Sequence, residues 1–176
     1  GLVTGAAVRT TDMRLSGSER RVVAYASATH SLVHVLELTY AAVLVSVKAE
    51  FGSGLFLLGI VANISAFAYG ATAIPSGFLS DRLGSRRMLL MCLLAAAAAS
   101  MLVALSPNVF VLAVSLTILG LAIGLYHPAG LSFISRAVRL RSLGMGYHGM
   151  AGNLGLALAP LMAAWLASTI SWRAAY

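Results

Sequence analysis

The chain has 176 residues, 60% of them hydrophobic and 10% charged, with twelve Lys and Arg against five Asp and Glu and a mean hydropathy of +0.91. Soluble domains carry about 25% charged residues, so too few charges are present to cover a water-facing surface. A soluble globular enzyme and a disordered chain are both excluded. The single cysteine, Cys92, excludes a disulfide framework and a thiolate-rich metal cluster.

The pattern is that of an all-α integral membrane protein. A helix crosses the roughly 30 Å hydrocarbon core in about 20 residues, and five runs qualify: 22–47, 55–79, 88–105, 109–134 and 143–170. Residues 1–21 read as a polar N-terminal segment ahead of a transmembrane half-bundle at 22–176. No signal peptide is expected, because the apolar run that follows is too long for one. Residues 171–176 read as the start of a sixth span. Pro75, Pro128 and Pro160 fall inside spans, where proline is tolerated and can kink the helix. Stretches such as 89–99 lack the alternation of a barrel strand.

Basic residues set the expected orientation. Arg9, Arg14, Arg20, Arg21, Arg82, Arg86, Arg87, Arg136, Arg139 and Arg141 all fall on one side of the five spans, leaving only Lys48 and Arg173 opposite. The clusters read as orientation signals rather than as a nucleic-acid surface. They place the N-terminus on the cytoplasmic side of the membrane.

Span one carries the polar stripe. At about 100° per residue, Ser27, His30, His34 and Glu37 share an arc of about 80°. Such an arc faces a cavity or another helix, and an ionisable group in the bilayer is a functional candidate by default. Glu37 reads as a proton or cation site, with His30 and His34 tuning it or titrating themselves; an interhelical hydrogen-bond cluster is the alternative. The His30–His34 spacing also suits a transition metal, but no fourth ligand is visible and no metal is assigned. His127 precedes Pro128 and has two open readings, satisfying a carbonyl that the proline leaves bare or lining the cavity. His148 lies on a small-residue line with Gly152, Gly155 and Ala159, and reads as packing. Asn153, about 100° from Gly152 on the helix, is a candidate substrate contact. Gly59, Gly70, Gly120 and Gly124 read as helix-packing positions.

Between spans two and three the chain reads Gly77-Phe-Leu-Ser-Asp81-Arg82-Leu-Gly84-Ser-Arg86-Arg87. Gly84 can take positive φ, and Arg136 is a candidate partner for Asp81. The order closely resembles the loop signature of the major facilitator superfamily. Span count, the short third span and the Trp172-Arg173 approach to span six fall in register with it. Gly124-Leu-Tyr-His127-Pro128-Ala-Gly130 and the Gly152-Asn153-Leu-Gly155 run resemble that superfamily's fosmidomycin-resistance type of efflux carrier.

The resemblance implies a major-facilitator-type helical bundle, with five complete transmembrane helices and the start of a sixth forming an N-terminal half. It also implies a gating role for Gly77, Asp81, Arg82, Gly84, Arg86 and Arg87, with Arg136 as charge partner. The function implied is secondary active transport, proton-coupled export of a small organic molecule by alternating access. Its partners would be the lipid bilayer, protons, the small-molecule substrate and a second half-bundle from the same chain, a homodimer or another subunit. A non-transporting scaffold or assembly subunit is the alternative. No phosphate loop, nucleophile elbow or paired catalytic carboxylates appear, so neither enzymatic activity nor a cofactor is expected.

Overall fold

The computed structural model describes residues 14–176, so Arg9 and Asp12 lie outside the described residues. Among the described residues seven helices follow in order: α1 (Gly17–Phe51), α2 (Leu55–Ala71), α3 (Ala73–Leu83), α4 (Ser85–Ala104), α5 (Val109–Gly124), α6 (Tyr126–Ala137) and α7 (Arg141–Thr169). A 3-10 turn, Trp172–Ala175, stands where the sequence suggested the start of a sixth span. With α2 continuing into α3 and α5 into α6, five units among the described residues are long and apolar enough to cross a membrane. The molecule is an all-α membrane bundle.

Helix α1 begins five residues before the apolar run does. Ser16 and Glu19 form a capping box, in which the Ser16 hydroxyl accepts from the Glu19 N–H and the Glu19 carboxylate accepts from the Ser16 N–H at 2.8 Å. The other Glu19 oxygen accepts from the Arg139 N–H at 2.6 Å, which ties the start of α1 to the α6–α7 connection. At 1.5 Å per residue, α1 is about 50 Å long and exceeds the hydrocarbon core, so its charged ends project beyond it. Gly52 closes the helix at φ 62°, its N–H bonding the Lys48 carbonyl.

The second and fourth spans are each broken by proline. Pro75 and Pro128 are the third residues of α3 and α6, and neither can bond the carbonyl four residues back. The two breaks meet in space, where the Ser76 hydroxyl donates to the Leu125 carbonyl at 2.9 Å. A polar side chain thus satisfies backbone that the helices leave open. Helix α7 runs through Pro160 without interruption.

In a bilayer, helices associate by close packing and interhelical hydrogen bonds, because lipid is as apolar as leucine. The α2–α5 pair shows both. A Cβ at Gly120 would strike the Ser65 backbone, and one at Gly124 would strike Thr72 and the Tyr69 carbonyl. The Ser65 hydroxyl donates to the Leu116 carbonyl at 2.8 Å across the same seam. Gly59 and Gly70 do not share this role, since a Cβ at either meets nothing within 4 Å. The core runs through Val33, Tyr40, Leu58, Met88, Leu112 and Tyr126, while Phe56, Phe67, Leu94, Phe110 and Trp165 point outward. Such a belt suits lipid and would be an aggregating patch in water.

Candidate functional site

Three helices bring four imidazoles together inside the bundle. His30 and His34 come from α1, His127 from the second position of α6, and His148 from α7. The His30 ring is buried and stacks on His148 at 4.0 Å between centroids and 10° between planes. Tyr126 stacks on its other neighbours at 5.3 Å from His30 and 6.0 Å from His148. The close approach is possible because α7 presents a glycine, without a side chain, beside the His30 ring. A Cβ at Gly152 would fall on the His30 ring, and one at Gly155 would fall on the Ser31 backbone.

The hydrogen bonds run in a line. His30 Nδ1 meets the His148 carbonyl at 2.9 Å, His30 Nε2 meets His34 Nε2 at 3.0 Å, and His34 Nδ1 meets Glu37 Oε2 at 2.7 Å. Burial falls along the same line: the His34 side chain is 15% exposed and that of Glu37 32%. Glu37 opens on a cleft of about 220 Å³ between α1, α2 and α5, which Tyr40, Ser65, Tyr69 and Gly120 also line. His127 sits edge-on to His30 at 5.3 Å, and its Nε2 meets the Tyr69 hydroxyl.

Donor atoms of His30, His34 and His127 lie within 4.8 Å of one another. That spread could admit an ion, and it brings in a third nitrogen from a helix that the spacing in span one does not reveal. As placed, however, the nitrogens are engaged with one another, with Glu37 and with Tyr69, which makes the arrangement a hydrogen-bonded one. Of the stripe residues, Ser27 keeps a buried hydroxyl with no partner among the described residues and lies a turn away from the histidines. Asn153 is exposed on α7, about 100° around the helix from Gly152, and does not join the cluster.

Both ends of the bundle carry an acid that bridges elements. At the arginine-rich end, Arg136 Nη2 donates to Asp81 Oδ1 at 2.8 Å, linking α3 to α6 with both side chains mostly exposed. Arg82, Gly84, Arg86 and Arg87 surround Asp81 in one shallow cleft. Gly84 takes φ 82° and ψ 142° at the α3–α4 turn, while Gly77 lies within α3. At the opposite end Glu50 accepts from Trp172 Nε1 at 2.6 Å and from Arg173, whose Nη2 reaches the Ser106 carbonyl at 2.8 Å. The Arg173 guanidinium also lies over Trp172 at 4.4 Å.

Sequence reading missed Tyr69, Tyr126 and this second clamp. Nothing marks Tyr69 in one dimension. Glu19, by contrast, was announced by Ser16 three residues before it.

The sequence matches the family profile described as Major Facilitator Superfamily over residues 27–176. The chain belongs to the Major Facilitator Superfamily. It is therefore a multi-pass membrane protein of a transporter family, and the Asp81–Arg136 and His30–His34–Glu37 groups lie inside the matched region. Among curated proteins it is similar to the Multidrug resistance protein B homolog of Mycobacterium tuberculosis, in strains CDC 1551 / Oshkosh and ATCC 25618 / H37Rv. Each is 31% identical over 106 residues, which make up 58% of this chain. The match spans 20% of those relatives' length.

Proposed function

We propose that this chain is one half of a proton-coupled exporter of small organic molecules, working by alternating access across the cytoplasmic membrane. The observation that carries the reading is the Glu37–His34–His30 line, a set of titratable groups bonded to one another inside the bilayer-spanning region. Ionisable groups at that depth are costly, and they mark ion pathways when they face a cavity. Glu37 faces the cleft beside Tyr69. In this reading Glu37 and His34 exchange protons with the cavity, while His30 and His127 hold the inner wall and Asn153 meets substrate.

The concentration of arginine at one end supports a cytoplasmic N-terminus. On that side Gly77, Asp81, Arg82, Gly84, Arg86, Arg87 and Arg136 form the gate, with Asp81 and Arg136 latching α3 to α6. Carriers of this kind bind substrate between two related halves, so a partner half completes the pathway, whether from the same chain, a second copy or another subunit. The relatives' name, Multidrug resistance protein B homolog, supports export and an organic substrate.

The test uses the carrier reconstituted in proteoliposomes under an imposed proton gradient, with ethidium as the probe. Gradient-driven ethidium movement that is lost in Glu37→Gln supports the reading. Movement unchanged by Glu37→Gln overturns proton coupling at this site, and absence of any movement in the paired assembly favours the scaffold alternative.

A further inference from the structure

The line of contacts through the histidines fixes a proton count. It contains three hydrogen bonds: Glu37 to His34 Nδ1, His34 Nε2 to His30 Nε2, and His30 Nδ1 to the His148 carbonyl. Each bond needs one proton between its heavy atoms. The carbonyl brings none, an ionised carboxylate brings none, and each neutral imidazole brings one. Two neutral histidines therefore supply two protons for three bonds.

We infer that Glu37, His34 and His30 together bind one exchangeable proton beyond those of the neutral imidazoles and the carboxylate, shared along the line and making the trio electrically neutral. This is the site assigned above to proton coupling, and the use of the proton in transport rests on that reading. The proton belongs to the group rather than to one residue. It sits on Glu37 as a carboxylic acid donating to His34 Nδ1, or on the imidazole pair as an Nε2–H between two nitrogens. In the first case His34 switches tautomer and donates from Nε2; in the second both Nδ1 atoms carry hydrogens. Either way the third bond is complete and the carboxylate's charge is cancelled within the spanning region, where an uncompensated charge is costly.

The surrounding groups do not supply that proton. From α6 and α2, His127 and Tyr69 meet each other using a hydrogen of their own. From α7 the His148 ring faces His30 as a stack rather than a donor, with its Nδ1 3.4 Å from the Tyr126 hydroxyl. Tyr126 in turn donates to the Ala26 carbonyl.

Removing the proton leaves either two lone pairs facing at 3.0 Å or a carboxylate facing a bare nitrogen at 2.7 Å, and both repel. His30 cannot yield, because it is stacked on His148, bonded to the His148 carbonyl and backed by Gly152. His34, bonded through its two ring nitrogens and less enclosed than His30, is the member that swings. Unloading the site thus moves His34 and Glu37 relative to a fixed His30.

The test is magnetic resonance on the wild-type assembly in nanodiscs with isotope-labelled histidine, at neutral pH and in EDTA. A through-bond coupling between the His30 and His34 Nε2 atoms is expected, lost on alkaline titration with release of one proton per chain and absent in His34→Gln. Two unprotonated Nε2 atoms with no coupling at neutral pH overturn the inference. So does a transition metal retained by the protein at one per chain, since the ion would then occupy the lone pairs. The measurement needs no transport. A coupling present in a carrier indifferent to the proton gradient would sink the proposed function and leave the bound proton standing.

Discussion

Gly152 presses its bare Cα against the imidazole of His30, leaving no room for a methyl group between them. Helix α7 therefore sets the position of the innermost histidine by the absence of a side chain, and Gly155 repeats the approach one turn on against Ser31. Gly152→Ala is expected to destabilise the bundle by about 1–3 kcal/mol, the usual effect of overpacking. It also shifts His30 away from the His148 carbonyl. Gly149→Ala, where a Cβ meets nothing within 4 Å, is the matched control. Thermal unfolding in detergent measures both, and equal stability of the two variants would contradict the contact.

Asp81 and Arg136 bond well but stand mostly in solvent, where an ion pair contributes about 0–1 kcal/mol. Asp81→Asn is expected to leave the melting temperature nearly unchanged while altering transport, because in the proposed mechanism the pair latches two helices that part when the gate opens. Restoration of transport on exchanging the charges, Asp81→Arg with Arg136→Asp, would identify the pair as the operative element. Failure of the exchange would place the requirement on Asp81 alone.

Gly84 differs from its neighbours in the same turn because its φ of 82° lies where L side chains are strained. Gly84→Ala is expected to lose about 1–3 kcal/mol although a Cβ there meets nothing within 4 Å. Gly77→Ala, inside α3 and equally open, is expected to be neutral or slightly stabilising. Chemical unfolding of the two variants separates backbone strain from crowding.

At the other end, Glu50→Gln removes the charge that gathers Trp172 and Arg173. With Glu50 and Arg173 partly exposed, a stability change below about 1 kcal/mol is expected. The 3-10 turn loosens nonetheless. In a Trp165→Phe background, leaving Trp172 as the reporter, the emission is expected to move to the red as the turn loosens and the indole gains water. An unmoved spectrum would show that packing against Phe51 holds Trp172 without the carboxylate.

The span pattern was legible because hydropathy and length decide what can lie in a bilayer, and no tertiary contact overrides that. The α1 stripe was legible for the same reason, since helical periodicity places His30, His34 and Glu37 on one face whatever surrounds them. What joins them was not. His148 sits in a row of small residues that reads as packing, and it does pack; its carbonyl and ring nevertheless reach His30. Tyr69 enters through a crossing of α2 and α5 fixed at Gly120 and Gly124. Gly59 and Gly70, identical in sequence character, face open space. Which glycine is a crossing point depends on the partner helix and not on the residue. The early start of α1 was within reach, because the Ser16–Glu19 spacing is a helix-start signature that apolar runs do not register.

The paired breaks at Pro75 and Pro128 carry the last prediction. Restoring an N–H with Pro128→Ala allows the bond to the Gly124 carbonyl and favours a continuous α5–α6 helix, so the variant is expected to be as stable as the wild type or more so. Ser76→Ala acts the other way, leaving the Leu125 carbonyl without its donor at a loss of about 0.5–1.5 kcal/mol. If the breaks are joints at which the span bends during transport, Pro128→Ala slows transport while gaining stability, and Ser76→Ala loses stability with transport less affected. The two variants then separate in opposite directions on a plot of rate against melting temperature. Transport that follows stability in both would make the prolines features of packing, with the Ser76–Leu125 bond repairing a gap that has no part in the motion.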